Sequence, residues 1–262
     1  TNQWEALSPM NAARKGVATA ILNGKLYAIG GTRQLSGQGW QGLSSVEIFD
    51  PQTGQWSAGP TLPNVVKYGT AKTVSGKILL FGGYVSGNQN SSQVLELDPA
   101  TNQWTPKASM PTARRGSAVV SIAGKVWVLG GNTGGDTAST ATDKVEFYDV
   151  ETNSWTIGLS LTMARHDPSV WIANNRIYVA GGSASNDSYL NSIEAYDPTT
   201  NQWVAIGNLP ENKCAADAAI LDGKVYVVAG IRNTNTYTNK VYAADLPPPA
   251  MNLYFKEIQI DV

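Results

Sequence analysis

A tryptophan stands 26 residues ahead of a glycine pair, and the arrangement recurs along the chain. Trp4 precedes Gly30–Gly31, Trp56 precedes Gly82–Gly83, Trp104 precedes Gly130–Gly131, Trp155 precedes Gly181–Gly182, and Trp203 precedes the degenerate Ala229–Gly230. A period of this size demands a series of similar units that bury their faces against one another. The spacing from each pair to the next tryptophan is looser, at 26, 22, 25 and 22 residues. Length is held before the glycines and free after them, so the tolerant loop follows each pair.

Within one unit the stretch Gly116–Gly131, GSAVVSIAGKVWVLGG, reads as strand, tight turn and strand. The turn Ala123–Gly124 has siblings at Asn23–Gly24, Ser75–Gly76, Asn174–Asn175 and Asp222–Gly223, mostly residues that accept positive φ. The glycine pair marks a backbone that turns to positive φ or passes close to a neighbour, where a Cβ would obstruct. A third strand follows the loop as SVEIFD, QVLELD, KVEFYD, SIEAYD and KVYAAD, and four of these lead through a turn into a fourth strand at the next tryptophan. With 26 glycines, 13 prolines and only 15% charged residues, the chain favours many short strands over long surface helices. Its net charge of −1 supplies no general pull toward nucleic acid or an anionic membrane. The single cysteine, Cys214, excludes an intrachain disulfide and a zinc site of paired cysteines, and neither metal nor cofactor is expected.

The apolar run ending in Gly-Gly, the YDP-type turn and the TNQW segment together resemble the kelch repeat over residues 1–245. The resemblance implies an all-β fold, a β-propeller of four-stranded antiparallel blades, and five hairpins predict five blades. The expected organisation is a kelch-type propeller over 1–246, then a Pro-rich exit and C-terminal extension over 247–262. Thr1–Ser8 reads as a fourth strand lacking its first three, while the fifth unit stops at Asp245. The strand around Trp4 is therefore expected to complete the last blade beside Lys240–Asp245. The tail Met251–Val262, with alternating Leu253, Phe255, Ile258 and Ile260, is the second choice for that place because it lacks the repeat's tryptophan.

Ten residues after each tryptophan stand Arg14, Val66, Arg114, Arg165 and Lys213, followed directly by Lys15, Lys67, Arg115, His166 and Cys214. Seven of the 19 lysines and arginines fall in these ten positions, and they read as a positive rim at the mouth of the inner strands. Forked guanidinium groups suit a carboxylate, a phosphate or an acidic peptide. The plainer alternative is that these cations cap carbonyls of neighbouring loops. The resemblance implies partner binding on this face, and the loops add Trp40, Tyr84, Tyr189, Arg232 and Tyr237 as contact residues. Glu47, Glu96, Glu146 and Glu194 recur on the third strands and read as structural acceptors. Asp217 stands where other units hold Ala, Thr or Ser, and is a candidate base or a hydrated lining residue.

A lone histidine, His166, leaves no histidine-based catalytic trio outside itself and no pair of histidines for a galactose-oxidase-like copper site. The leading expectation is a non-catalytic binding module that presents a basic-rimmed loop face to a protein or to an acidic or glycan ligand. Nucleic acid and membrane are not expected partners, and the unit is read as a monomeric domain or part of a larger chain. A sialic-acid-type sugar mutarotase is the enzymatic alternative, with arginines on the sugar carboxylate and Asp217 or Glu211 moving protons. A rigid spacer in a larger secreted or surface protein is the third reading. Placement outside the cell is favoured over the cytoplasm.

Overall fold

The computed structural model describes residues 5–37, 39–87, 89–135, 140–233, 236–246 and 256–258. It is a five-bladed β-propeller of small antiparallel sheets. The blades comprise Ala18–Leu22, Lys25–Ile29, Val46–Asp50 and Gln55–Ala58; Thr70–Val74, Lys77–Phe81, Val94–Asp98 and Gln103–Lys107; Ala118–Ile122, Lys125–Leu129, Val145–Asp149 and Ser154–Ile157; Ser169–Ala173, Arg176–Ala180, Ser192–Asp197 and Gln202–Asn208; and Asp217–Leu221, Lys224–Val228, Val241–Asp245 and Lys256–Ile258. Strands in each sheet are neighbours in chain order. Two compact units divide the chain, Thr1–Arg115 with Glu151–Trp155, and Gly116–Val150 with Thr156–Val262.

Local chemistry accounts for each blade. The hairpin turns take positive φ at both central residues, such as Asn23 (51°) and Gly24 (73°), so Leu22 pairs directly with Lys25. That geometry matches the natural twist of the two strands. The first glycine of each pair also has positive φ, and a Cβ at Gly130 would run into the carbonyl oxygen of Arg165. Both reasons for glycine inferred from the sequence hold there. Each tryptophan indole donates to a carbonyl of the chain leading into its blade: Trp56 to Ser8, Trp104 to Pro60 and Trp155 to Ala108 at 2.8 Å, and Trp203 to Leu159 at 3.0 Å. These four tryptophans therefore pin the connections between blades.

Packing follows the period-2 alternation of the strands. In the first unit Ala18, Ala20, Leu22 and Ile29 of one blade pack with Ile78, Leu80, Leu95 and Leu97 of the next, while the intervening Ile21 stays 67% exposed. In the second unit Ala118, Val120 and Leu129 meet Ile177, Val179 and Trp203, and Trp171, Tyr178 and Ala195 meet Val225, Val227 and Ala244. Most of the variable loops have regular structure of their own. Four fold into small hairpins, Thr32–Leu35 with Gly39–Gly42, Tyr84–Val85 with Gln89–Asn90, Ser183–Ala184 with Ser188–Tyr189, and Ile231–Asn233 with Thr236–Tyr237. Among the described residues no helix is long and apolar enough to cross a membrane.

The closure differs from expectation. The fourth strand of the fifth blade is Lys256–Ile258 from the C-terminal tail, in register with Val241–Ala243. The place assigned to the strand around Trp4 is thus taken by the tail, and Trp4 itself lies outside the described residues. The reason is that an open strand edge needs a row of backbone donors and acceptors, which any extended segment provides. The tryptophan is a packing signature of the repeat and not a condition for pairing.

Two glycine substitutions separate torsional strain from steric conflict. Gly124→Ala sits in a hairpin turn at φ 73° with nothing within 4 Å of the new methyl group, and is expected to cost about 1 kcal/mol. Gly130→Ala adds collision with the Arg165 carbonyl to similar strain at φ 60°, and is expected to cost about 3 kcal/mol or more. Thermal melts of both proteins check this, and equal losses would show that close approach plays no part.

Candidate functional site

Successive residues of an extended segment point to opposite sides. The two rows of cations ahead of the inner strands obey this rule and have different fates. Arg14 directs all five of its N–H groups inward: to the carbonyls of Ala12 (3.4 Å), Gly30 (2.9 Å) and Ser45 (3.1 Å), to Ser45 Oγ (3.3 Å) and to Glu47. Arg165 repeats the set with Met163, Gly181, Ser192 and Glu194, the last at 2.5 Å. Lys213 replaces the fork with an ammonium that donates to the carbonyls of Ala229 (2.7 Å) and Lys240 (3.1 Å), and its Nζ lies 4.9 Å from the Tyr242 ring centroid. Arg114 and Arg165 have no exposed surface, and Lys213 has 1%. With every N–H of Arg14 and Arg165 in use, their place is that of the plainer alternative, capping carbonyls from inside the blade.

The glutamates complete this arrangement. Glu47 accepts from the Asn11 (2.6 Å) and Ala12 (3.1 Å) N–H groups as well as from Arg14. Burial raises its pKa, yet the N–H of Asn11, the guanidinium of Arg14 and the N–H of Ala12 outweigh burial and hold the carboxyl below its ordinary value. In the second blade the arginine position holds Val66, and Glu96 takes Lys77 Nζ at 3.0 Å instead.

The second row points away from the first and is tied through its backbone; Lys15 is exposed, Lys67 and Arg115 are half-buried, and His166 and Cys214 are buried. Lys15, Lys67, His166 and Cys214 each form a bridge to the first residue after a glycine pair, Thr32, Tyr84, Ser183 and Ile231. Lys15 is exposed, and its Nζ sits 3.7 Å from the ring centroid of Trp40, which is itself 54% exposed. A Cβ on Gly42, two residues beyond Trp40, would lie 3.6 Å from the Lys67 side chain. Lys67 Nζ lies 5.0 Å from the Tyr84 centroid and the Arg115 guanidinium 4.5 Å from the same centroid, so the buried Tyr84 is covered by two cations. Arg115 also donates to Asn90 Oδ1 at 2.8 Å. The result is a continuous cation–aromatic row over two blades. A cleft of about 400 Å³ lies alongside, lined by Asn64, Ser86, Ser91, Ser92, Gln93 and Ser109.

Tyr68 completes the row and was not singled out from the sequence. It adopts φ 55°, is 36% exposed, and donates its N–H to the Gly16 carbonyl at 2.8 Å. Its ring occupies the space above Gly16, where a Cβ would fall 2.7 Å from ring carbon. Asp167 repeats the pattern in the other unit, at φ 49° with its N–H 2.6 Å from the Gly116 carbonyl. The available signal was positional: Gly16, Tyr68, Gly116, Asp167 and Ala215 directly follow the outward row, and large residues among glycine and alanine stand out.

In the second unit His166 Nδ1 and Asp167 Oδ2 are 2.8 Å apart, and the buried Cys214 lies beside them. Burial, with the Asp167 carboxylate adding to it, pushes the Cys214 thiol up to about 12, which keeps it protonated at neutral pH. Arg232 is exposed and 4.0 Å from Glu211, whose other oxygen lies 3.6 Å from Lys213. Tyr237 is 77% exposed, Tyr189 is half-buried, and Asp217 is exposed with its carboxylate turned to the Ala218 N–H at 2.8 Å.

The profile of the KLHDC2/KLHL20/DRC7 Kelch-repeats domain matches residues 16–163 and 70–249. The chain belongs to the kelch-repeat family, whose members commonly bind proteins. It is similar to Kelch-like protein terF of Aspergillus terreus, 31% identical over 74 residues, and to F-box/kelch-repeat protein At1g22040 of Arabidopsis thaliana, 42% identical over 62 residues. These matches cover 28% and 24% of this chain but only 16% and 13% of those relatives, so they concern the repeat and not the longer proteins. Among solved structures, that of YjhT covers 97% of this chain and 87% of its own at a TM-score of 0.85 and 17% identity, a likeness of fold.

The buried ion pair predicts a distinct acid response. Glu47→Gln leaves the fully buried Arg14 guanidinium without its counter-charge and is expected to lower stability by about 3 kcal/mol at pH 7. Because the folded-state pKa of Glu47 lies below the unfolded value, its contribution is present above about pH 4.3 and fades as the pH falls through the folded value. Denaturant unfolding from neutral pH downward is expected to show the difference between wild type and variant narrowing only in that acid range.

Proposed function

We propose that the chain is a non-catalytic interaction module whose outward row of Lys15, Trp40, Lys67, Tyr68 and Arg115 receives an acidic, extended segment of a protein partner. The observation that carries this reading is the run of cations against aromatic rings on one edge of consecutive blades, with Lys15, Trp40 and Tyr68 exposed and Lys67 and Arg115 half-buried over Tyr84. Rigid aromatics provide contact area at low entropic cost, and neighbouring cations favour carboxylates. The adjoining cleft, rich in serine and amide side chains, offers hydrogen bonds suited to a peptide backbone. Tyr68 holds a positive φ that a bulky side chain adopts only under constraint, a condition often met at functional sites.

This reading differs from the rim first drawn from the sequence. Arg14, Arg114, Arg165 and Lys213 act as the buried frame, and recognition falls to the row beside them. A mutarotase reading that rests a sugar carboxylate on Arg165 has no N–H of that residue left to use.

The test is an array of acidic and neutral peptides, followed by titration of the tightest acidic sequence. Trp40→Ala and Arg115→Ala are each expected to weaken binding about tenfold, equivalent to ~1.4 kcal/mol, with unchanged thermal melts. Raising the salt concentration is expected to weaken binding further. Selection of neutral peptides, or affinity indifferent to both substitutions, would overturn the proposal.

A further inference from the structure

The outward row changes character in the second unit. Where the first unit places Lys15 and Lys67, the equivalent positions in the fourth and fifth blades hold His166 and Cys214, and Asp167 follows His166. One ligand atom from each of these three residues falls within 4.8 Å of the others. A nitrogen, a thiol sulfur and a carboxylate oxygen form a donor set of intermediate softness, suited to zinc and its neighbours in the first transition row.

Tetrahedral coordination at bond lengths of about 2.0–2.3 Å sets donor–donor separations at roughly 3.3–3.7 Å, so side-chain torsions must draw the three donors together by about 1 Å. The His166–Asp167 pair, at 2.8 Å, is closer than that range and has to part by about 0.5 Å to admit an ion between its two donors. The backbone beneath is fixed on every side. His166 exchanges two hydrogen bonds with Ser183 at 2.9 Å, and Cys214 exchanges two with Ile231 at 2.8 Å. Asp167 receives the Ala215 N–H at 2.9 Å and gives its own to Gly116 at 2.6 Å. These bonds fix the backbone of all three residues across two blades, so that side-chain torsions alone have to adjust on binding.

On binding a divalent ion the Cys214 thiol gives up its proton to solvent, and the Asp167 carboxylate supplies a second negative charge beside the ion.

We propose that His166, Asp167 and Cys214 bind one divalent ion of the zinc class, with a fourth position left to solvent. The site was not legible in the sequence because the single histidine and the single cysteine stand in different blades, far outside the spacing of any contiguous metal motif.

The test titrates the full chain, freed of metal with chelator, with Zn2+ and with Co2+. One ion per chain is expected, with a thiolate-to-cobalt charge-transfer band in the near ultraviolet that Zn2+ abolishes. Cys214→Ser is expected to remove the band, and His166→Ala to weaken Zn2+ binding about 100-fold or more. Asp167→Asn keeps a residue that tolerates positive φ and is expected to weaken binding at least about tenfold, so it serves even where another variant fails to fold. Saturating Zn2+ is expected to raise the melting temperature of wild type and not of Cys214→Ser. No band in wild type, or Zn2+ affinity in Asp167→Asn equal to wild type, would overturn the site.

Discussion

The structure depends on one residue position that serves two blades at once. In the fourth blade the Arg165 side chain holds the Gly181 and Ser192 carbonyls of its own blade, while its backbone carbonyl accepts the Gly131 N–H of the blade before at 2.8 Å. That carbonyl passes so close to Gly130 that no side chain fits between them. The glycine pair and the buried cation are therefore two halves of one joint.

Departures from the pattern show what the joint requires. Val66 in the second blade has no side-chain donor, yet its carbonyl still accepts the Gly31 N–H at 2.8 Å. The glutamate it would have paired, Glu96, turns to Lys77 and to Lys107, 3.7 Å away. In the fifth blade Lys213 takes the arginine's place, and the third-strand glutamate becomes Tyr242, whose ring face receives the ammonium. Buried charge in each case meets either an opposite charge or a polarisable face, as the cost of leaving it alone demands. The backbone half of the joint recurs at Gly31, Gly83, Gly131 and Gly182; the side-chain half is rebuilt to suit the residue present.

These particulars explain what could be read from the sequence. Blades, turns and their number were legible because Gly-Gly, Asn23–Gly24 and the tryptophans answer to backbone geometry and close packing, which leave few alternatives. The direction of the two cation rows was not, although adjacent residues of an extended segment must face opposite ways. Arg14 and Lys15 look alike in composition, and only the glycine carbonyl waiting at 2.9 Å decides that Arg14 turns in. The last strand was misplaced because a tryptophan was weighed above backbone hydrogen bonding. The grouping of His166 with Cys214 came from the contact of two blades, which no spacing along the chain reveals.

The origin of that last strand bears on how the protein is made. Because Lys256–Ile258 pairs with Val241–Ala243, the fifth sheet, like the other four, is drawn from one unbroken stretch of chain. Among the described residues no blade borrows a strand from a distant part of the chain. Contacts of short sequence separation form faster than those that close long loops. Each blade can thus gather its own strands as synthesis delivers them, and in the fifth Lys256–Ile258 covers the edge of Val241–Ala243.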